Sequence, residues 1–367
     1  MRTNTSFQIL GVGDAFVPLS SIAEACQPLV EVGGEFQGLE WEAHDRARMH
    51  VREQNMEANG PGAEPPPDGM KEKVATADVL LVHFCPISAQ TIESAQSLRI
   101  IGVCRAGHEN IDVEAASQRG ITVIHVTGRN ANAVAEFTIG LMLSETRNIA
   151  RAHAALKAGV WRKDFQNASV CPELAGKTVG IIGFGAIGKV VARKLRSLEV
   201  NVIAFDPVVA AEDMIKSGVE ATKLESLLKN ADIVTLHARL SPETRGMIGA
   251  REIKLMKPNS YIINTARPGL VDEDALYDAL RSHRIAGAAL DVLGGDEGPT
   301  VNRLVGLDNV TVTSQIAGST LEAFTRSPKM LVKEMVTFMS TGSCASIVNK
   351  GFEEIADHRG WGSLKAK

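Results

Sequence analysis

Short apolar, β-branched runs alternate with longer stretches of helical spacing along most of the chain. In the first third the runs are FQILGVG, DVLLVHF, RIIGVC and ITVIHV. They carry no polar alternation, the mark of strands buried on both faces of a parallel sheet. Six further runs follow Lys177: TVGII, NVIAF, DIVTLH, SYIIN, AGAALDV and NVTVTS. Helical segments separate most of them, so a second doubly wound sheet is expected, in the order 3-2-1-4-5-6 with right-handed crossovers. The stretch 132–158 lacks proline and is apolar almost all round in its first half (Val134, Phe137, Ile139, Leu141, Met142, Leu143). Such a helix must be covered on every side. A place between domains, at a subunit interface or inside one domain's core satisfies that requirement equally. The Pro/Gly segment Asn59 to Gly69 reads as a surface loop. After Thr320 the apolar spacing is again helical, with a break expected near Pro328. A chain that leaves the second sheet at its last strand and then forms a helix is expected to return to the first domain. The expected division is therefore a discontinuous substrate domain, 1–126 plus 319–367, and a nucleotide domain, 127–318.

The most specific pattern is GFGAIG at Gly183 to Gly188, entered from the strand KTVGII and left through the helix KVVARKLRSL. Gly183 permits the tight turn, Gly185 lets backbone approach a pyrophosphate, and Gly188 lets the helix pack on the strand. The helix start, with Ala186 and Ile187, offers free N–H groups to phosphates. Asp206 ends the next strand about 20 residues on, where an acid binds ribose hydroxyls. A carboxylate there repels a 2′-phosphate, so the expected cofactor is NAD rather than NADP. In a doubly wound sheet ligands lie outside the carboxyl ends of the strands. That rule selects Asp206, His237, Arg267, Asp291 and Gln315, each at or just after a strand run.

Composition narrows the partners. Apolar residues make up 44%, charged residues 22%, and the net charge is −4. No basic field attracts nucleic acid or an anionic membrane surface, and no apolar run approaches a bilayer span. The N-terminal residues MRTNTSFQILGVGDAF lack the long apolar core of a secretory signal. The cysteines (26, 85, 104, 171, 344) are odd in number and form no C-x-x-C pair. Reduced thiols in a cytoplasmic protein are expected, with no disulfide framework or zinc site. No H-E-x-x-H or carboxylate triad suggests a metal.

Several stretches in order carry a family resemblance: LRIIGVCRAGHENIDVEAASQRGI, NAVAEFTIGLML, GKTVGIIGFGAIG, HARLSPETRGMI, NTARPGLVDEDAL and AGAALDV. The chain resembles the D-isomer-specific 2-hydroxyacid dehydrogenases from about Val79 to Gly318. The resemblance implies an α/β fold of two Rossmann-like or flavodoxin-like domains with doubly wound parallel sheets and an active site in the interdomain cleft. It implies NAD as cofactor, a small D-2-hydroxy or 2-keto acid as substrate, and a homodimer formed through the 132–158 helix. It further implies that Arg267 binds the substrate carboxylate and carbonyl oxygen, as a planar guanidinium does well. The loop Arg105, Ala106, Gly107 and His108 would hold the carboxylate with backbone N–H groups. His237, Thr244, Thr265, Ala266 and Asp291 would lie on the cofactor side.

The departures matter as much. Where the family has a glutamate that orients the catalytic histidine, this chain has Asp296, followed by Glu297, and either carboxylate serves. Pro268 stands where glycine is usual, and Arg239 where proline is common. The family reads T-P-H-I-A-G where this chain reads TSQIAG, so Gln315 replaces the general acid/base. An amide exchanges no proton at neutral pH. His83 and His108, on loops of the first domain, are the candidate substitutes. Two classes of function therefore remain in view: an oxidoreductase with modified proton handling, or an NAD(H)-binding regulatory module with weak or no turnover. A formate-type reaction, which expels no alcohol proton, gains nothing from Gln315, because the familiar formate enzymes keep the histidine.

Overall fold

A computed structural model describes residues 6–169, 171–294 and 303–349. The chain divides into two compact units, residues 1–129 with 320–367, and residues 130–319.

The first unit is built on five parallel strands: β1 (Phe7–Gly13), β2 (Gly34–Glu40), β3 (Val79–Val82), β4 (Ile100–Val103) and β5 (Thr122–His125). Their spatial order is β2-β1-β3-β4-β5. Sequence order reverses between β1 and β3, which makes that gap the sheet's switch point. Successive side chains of β1 and β3 enter opposite cores, Leu10, Leu80 and Val82 on one face and Ile9, Val79 and Leu81 on the other. This two-sided burial is why these runs show no polar alternation. The apolar reading does not mark β2 as a strand. Its sequence, GEFQGLE, is polar because it is an edge strand with one side in water, where Gln37 and Glu35 bond to Gln8.

The second core face of this sheet is covered by the helix Leu321–Thr341 through Leu331, Val332, Met335 and Phe338. The helix is unbroken, contrary to the break expected at Pro328. Proline cannot donate to the carbonyl of Phe324, four residues back. The Ser327 hydroxyl donates to that carbonyl instead, at 2.8 Å, and the helix continues.

The second unit carries seven parallel strands rather than six: β6 (Thr178–Ile182), β7 (Asn201–Phe205), β8 (Glu220–Ala221), β9 (Ile233–Leu236), β10 (Tyr261–Asn264), β11 (Gly287–Leu290) and β12 (Val310–Val312). The order is β12-β11-β10-β9-β6-β7-β8. The two-residue β8, too short and polar to show a strand pattern, takes the outer place beside β7. DIVTLH therefore moves from the sheet edge to the centre, where β9 pairs with β6. The single helix expected over 132–158 is two, Ala131–Thr146 and Ile149–Lys157. Asn148 stands between them in the left-handed region, φ 59°, which asparagine tolerates better than most residues. Its side chain holds the elbow, donating to Asn167 at 2.8 Å and accepting from Arg151 at 3.0 Å. Ala135, Leu141 and Met142 of the first helix lie in the second unit's core, while Phe137 and Ile139 are only partly covered.

Candidate functional site

All the strands of the second sheet are parallel, so their carboxyl ends share one edge. Along it, from one side to the other, stand Gln315 after β12, Asp291 after β11, Arg267 after β10, His237 after β9, Gly183 after β6 and Asp206 after β7. At the β6 turn, Gly183 has φ +94°, and a Cβ there would lie 2.6 Å from the backbone of His237. A Cβ on Gly188 would lie 2.2 Å from the Gly183 carbonyl oxygen. No larger side chain fits at either place. Gly185 differs: a Cβ there meets nothing within 4 Å, so the space above it is open. It caps the helix Ala186–Arg196 with no side-chain bond, which leaves the first-turn N–H groups of Ala186, Ile187 and Gly188 aimed into that space. This is the cradle a pyrophosphate needs.

Asp206 fits the ribose position with fewer free acceptors than the sequence suggests. Its carboxylate accepts from the N–H groups of Phe184 (2.7 Å), Val208 (2.8 Å) and Val209 (3.0 Å). A carboxylate offers about four acceptor sites, so about one stays open to a ribose. Partial burial pushes this acid's pKa up, but the three N–H donors with Lys189 nearby outweigh it and hold the group ionised. The other residues expected on the cofactor side are engaged within the chain. His237 is half-buried and bonds Thr235 through Nε2 at 3.0 Å, and desolvation of the ring pushes its pKa down to about 3. The shift favours the neutral ring. The Thr244 hydroxyl donates to the Arg239 carbonyl. The Thr265 hydroxyl meets that of Thr138 at 2.9 Å, tying the 131–146 helix to the end of β10.

The turn that carries Arg267 is set by Asn264, which escaped the sequence reading. Its Oδ1 accepts from Ala266 N–H (3.0 Å) and its Nδ2 donates to the Arg267 carbonyl (2.8 Å). An asparagine ending a strand and bonding its own backbone two residues on is the signal that reveals it. Arg267 takes the extended conformation expected before proline, and Pro268 opens a short 3₁₀ turn where its missing N–H costs nothing. The guanidinium is exposed, donates to the Ala266 carbonyl, and has no carboxylate partner among the described residues.

Asp291 also has a role the sequence did not show. It is buried and accepts from the Thr313 hydroxyl (2.6 Å) and the N–H groups of Ile316 (3.0 Å) and Ala317 (2.9 Å). Its own carbonyl accepts from Gln315 N–H at 2.8 Å. Asp291 thus clamps the turn that presents Gln315, which is exposed at φ 57°. Asp296 and Glu297 lie outside the described residues.

In the first unit, Arg105 is buried over the Phe84 ring, 4.3 Å from its centroid, and pairs with Glu53 and Glu109. The N–H groups of Ala106, Gly107 and His108 have no acceptor among the described residues, as a segment that holds a carboxylate by its backbone requires. The Ala106 carbonyl accepts from His125 at 2.7 Å. His83 is fully buried and bonded to Asp14. Burial pulls its pKa down against the opposing pull of Asp14, and Arg129 and Arg105 add to the lowering. Among the described residues no three His, Cys, Asp or Glu side chains gather as metal ligands. No helix among them is long and apolar enough to cross a membrane.

Comparison with known proteins agrees with this geometry. Residues 139–317 match the D-isomer specific 2-hydroxyacid dehydrogenase, NAD binding domain. A D-3-phosphoglycerate dehydrogenase of Methanocaldococcus jannaschii is 43% identical over 282 residues, 76% of this chain and 53% of that protein. The chain thus spans about half the length of that relative. A hydroxypyruvate reductase of Thermotoga maritima is 39% identical over 272 residues, 73% of this chain and 87% of that protein. Among solved structures, a D-lactate dehydrogenase from Sporolactobacillus superposes with a TM-score of 0.72 at 27% identity, covering 94% of this chain and 99% of that one. The open cradle over Gly185, the acid at Asp206 and these relatives lead to one conclusion: the chain belongs to the D-isomer specific 2-hydroxyacid dehydrogenase family, and its second unit is an NAD-binding domain.

Proposed function

We propose that this protein is an NAD-dependent oxidoreductase interconverting a small D-2-hydroxy acid and its 2-keto acid. The observation that carries the reading is Arg267: a guanidinium without a carboxylate, held by Asn264 at the carboxyl edge of the NAD-binding sheet. NAD(H) held at the Gly183 to Gly188 cradle would supply the hydride donor or acceptor for C2 of the acid. Arg267 anchors the substrate carboxylate and draws electron density from the C2 oxygen, which favours addition at carbon. In the first unit, the N–H groups of Ala106, Gly107 and His108, next to Arg105, are the candidates for holding a carboxylate. Gln315 orients the C2 oxygen by hydrogen bonding but carries no proton, so Asp296 or Glu297 supports proton handling. Asp206 selects NAD over NADP, because its carboxylate, already ionised by three N–H donors, repels a 2′-phosphate. Five free thiols suit a reducing cytoplasm.

The test is direct: purified protein with NADH and a panel of short 2-keto acids, followed by NADH absorbance. Turnover of at least one acid is expected. NADH binding without turnover of any acid in either direction removes the enzymatic reading, and ligand-dependent association would then favour a regulatory module. Gln315, exposed and without a titratable side chain, is the observation behind that second reading.

A homodimer is part of the proposal. Ile149, Leu156, Val160 and Trp161 are exposed along the 149–157 helix and just after it, Trp161 to 75%. An apolar patch of this kind marks a protein interface, and a second copy of the chain is the expected cover. Trp161→Arg is expected to halve the mass measured by sedimentation. An unchanged mass, or a native chain that is already monomeric at micromolar concentration, would remove this assignment.

A further inference from the structure

The amino ends of β10, β9 and β6 lie side by side on the edge of the second sheet opposite the cofactor edge. A hollow of about 490 Å³ opens there. The proposed reaction does not use it. Pro172, Ile233, Pro258 and Tyr261 give it an apolar wall, and Lys177, Asp232 and Lys257 give it charge. That size and that mixture, an apolar wall with a few polar groups, are those of a small-molecule site. The wall is built in advance. The turn 257–260 is closed by Ser260, whose N–H (3.1 Å) and hydroxyl (2.6 Å) both donate to the Lys257 carbonyl. Lys177 is held by its N–H on the Leu174 carbonyl (3.0 Å) and by its own carbonyl, which accepts from Asn201 N–H (2.8 Å). The Tyr261 hydroxyl accepts from Asn167 at 3.0 Å.

The charges in the hollow do not balance. Asp232 accepts from the Thr178 N–H at 2.8 Å and from Lys257 at 2.7 Å. Partial burial pushes this acid's pKa up, but the Lys257 and Thr178 donors and the charge of Lys177 outweigh it, so the group is ionised. The Lys177 ammonium itself has no hydrogen bond or ion pair among the described residues. Two ammonium groups thus share one carboxylate. Lysines can instead neutralise the negative end of a helix, but here that need is already met. At the end of the helix Ala250–Leu255, Arg284 donates to the carbonyls of Lys254 (2.6 Å) and Met256 (2.8 Å). A positive charge is left over beside an apolar hollow. We propose that this hollow is a second ligand site, separate from the cofactor edge, for a small organic acid whose carboxylate is held by Lys177 and Lys257 and whose apolar body lies against Pro172, Ile233 and Pro258. One net positive charge matches a monoanion better than a phosphate dianion, and lysines present point charges rather than the planar fork that grips phosphate in two places. The inference is independent of which acid, if any, the chain turns over.

The probe is para-fluorobenzoate, followed by its fluorine NMR signal with the whole chain saturated with NADH, which closes the cofactor site. The neutral para-fluorobenzamide has the same ring and no charge. The acid is expected to bind about tenfold more tightly than the amide, since a hydrogen bond to a charged group outweighs a neutral one by about that factor. Lys177→Met keeps most of the side chain without its charge, and is expected to weaken the acid by about tenfold and leave the amide unchanged. Lys177→Arg is expected to bind the acid as the native chain does, and thermal unfolding of each variant checks the fold. In Arg267→Ala the affinity should hold, which separates this site from the substrate anchor. Acid binding that disappears in Arg267→Ala and survives in Lys177→Met overturns the proposal, because the probe then sits at the other edge of the sheet. Equal binding of acid and amide overturns it too. Competition by inorganic phosphate as strong as that by unlabelled benzoate would leave a bare anion site and no place for an apolar body. Absence of acid binding to the NADH-saturated protein at millimolar concentration removes the site altogether.

Discussion

Replacing Arg267 by alanine is expected to lower kcat/KM for every 2-keto acid by about 10⁴-fold, because each donor aimed at a developing oxyanion is worth about 10²- to 10³-fold and this guanidinium supplies two. That loss corresponds to roughly 5 kcal/mol of transition-state stabilisation. It should fall on both parameters: KM rises as carboxylate binding is lost, and kcat falls as the C2 oxygen loses its polarising charge. NADH affinity should hardly change, since the cradle at Gly183 to Gly188 is built from other segments. The fold should tolerate the change, because the side chain is exposed and its bond within the chain is to the neighbouring Ala266 carbonyl. Arg267→Lys keeps the charge but not the planar fork, so only part of the activity should return. Wild-type kcat/KM in Arg267→Ala, measured with hydroxypyruvate and pyruvate, would show that the anchor lies elsewhere.

Gln315→His should act in the opposite direction. Supplying a general acid/base is worth about 10²- to 10⁴-fold in rate. The backbone is ready for it: Gln315 sits at φ 57°, a region in which histidine is several-fold enriched. Asp291 fixes the turn through groups that do not involve the Gln315 side chain. The pH dependence carries the sharper signature. Oxidation of the alcohol needs the neutral imidazole, so its rate should climb as pH rises through about 6.5. Reduction needs the protonated ring and should fall over the same interval. The native protein should lack this limb. No gain from Gln315→His, together with a large loss on His108→Ala, would show that the proton path has moved to the first unit.

The NAD-binding unit was largely legible in the chain because its signals are local. Gly183 is required by the positive φ of the turn and Gly188 by a clash with the Gly183 carbonyl oxygen, at 2.2 Å, so their spacing alone declares the geometry. Strands buried on both faces declare themselves as unbroken apolar runs. Elements whose stability comes from elsewhere were not legible. β2 is polar because it is an edge, and β8 is a strand only because β7 is there to pair with it. Pro328 reads as a helix breaker until Ser327 is seen to satisfy the carbonyl it strands.

The sequence by itself determined the α/β class, the nucleotide cradle, the acid at Asp206 and the residues that end the strands of the second sheet. Each of these follows from spacing along one stretch of chain. Only the tertiary structure decided what those residues hold: Asp206 with three acceptor sites filled, and Asp291 clamping the turn of Gln315. It alone joined Asp14 to His83 across the strands of the first sheet. Hydrogen bonds between residues distant in sequence depend on which strands become neighbours. Strand order is fixed by packing of the whole unit, which leaves no mark at the positions it brings together.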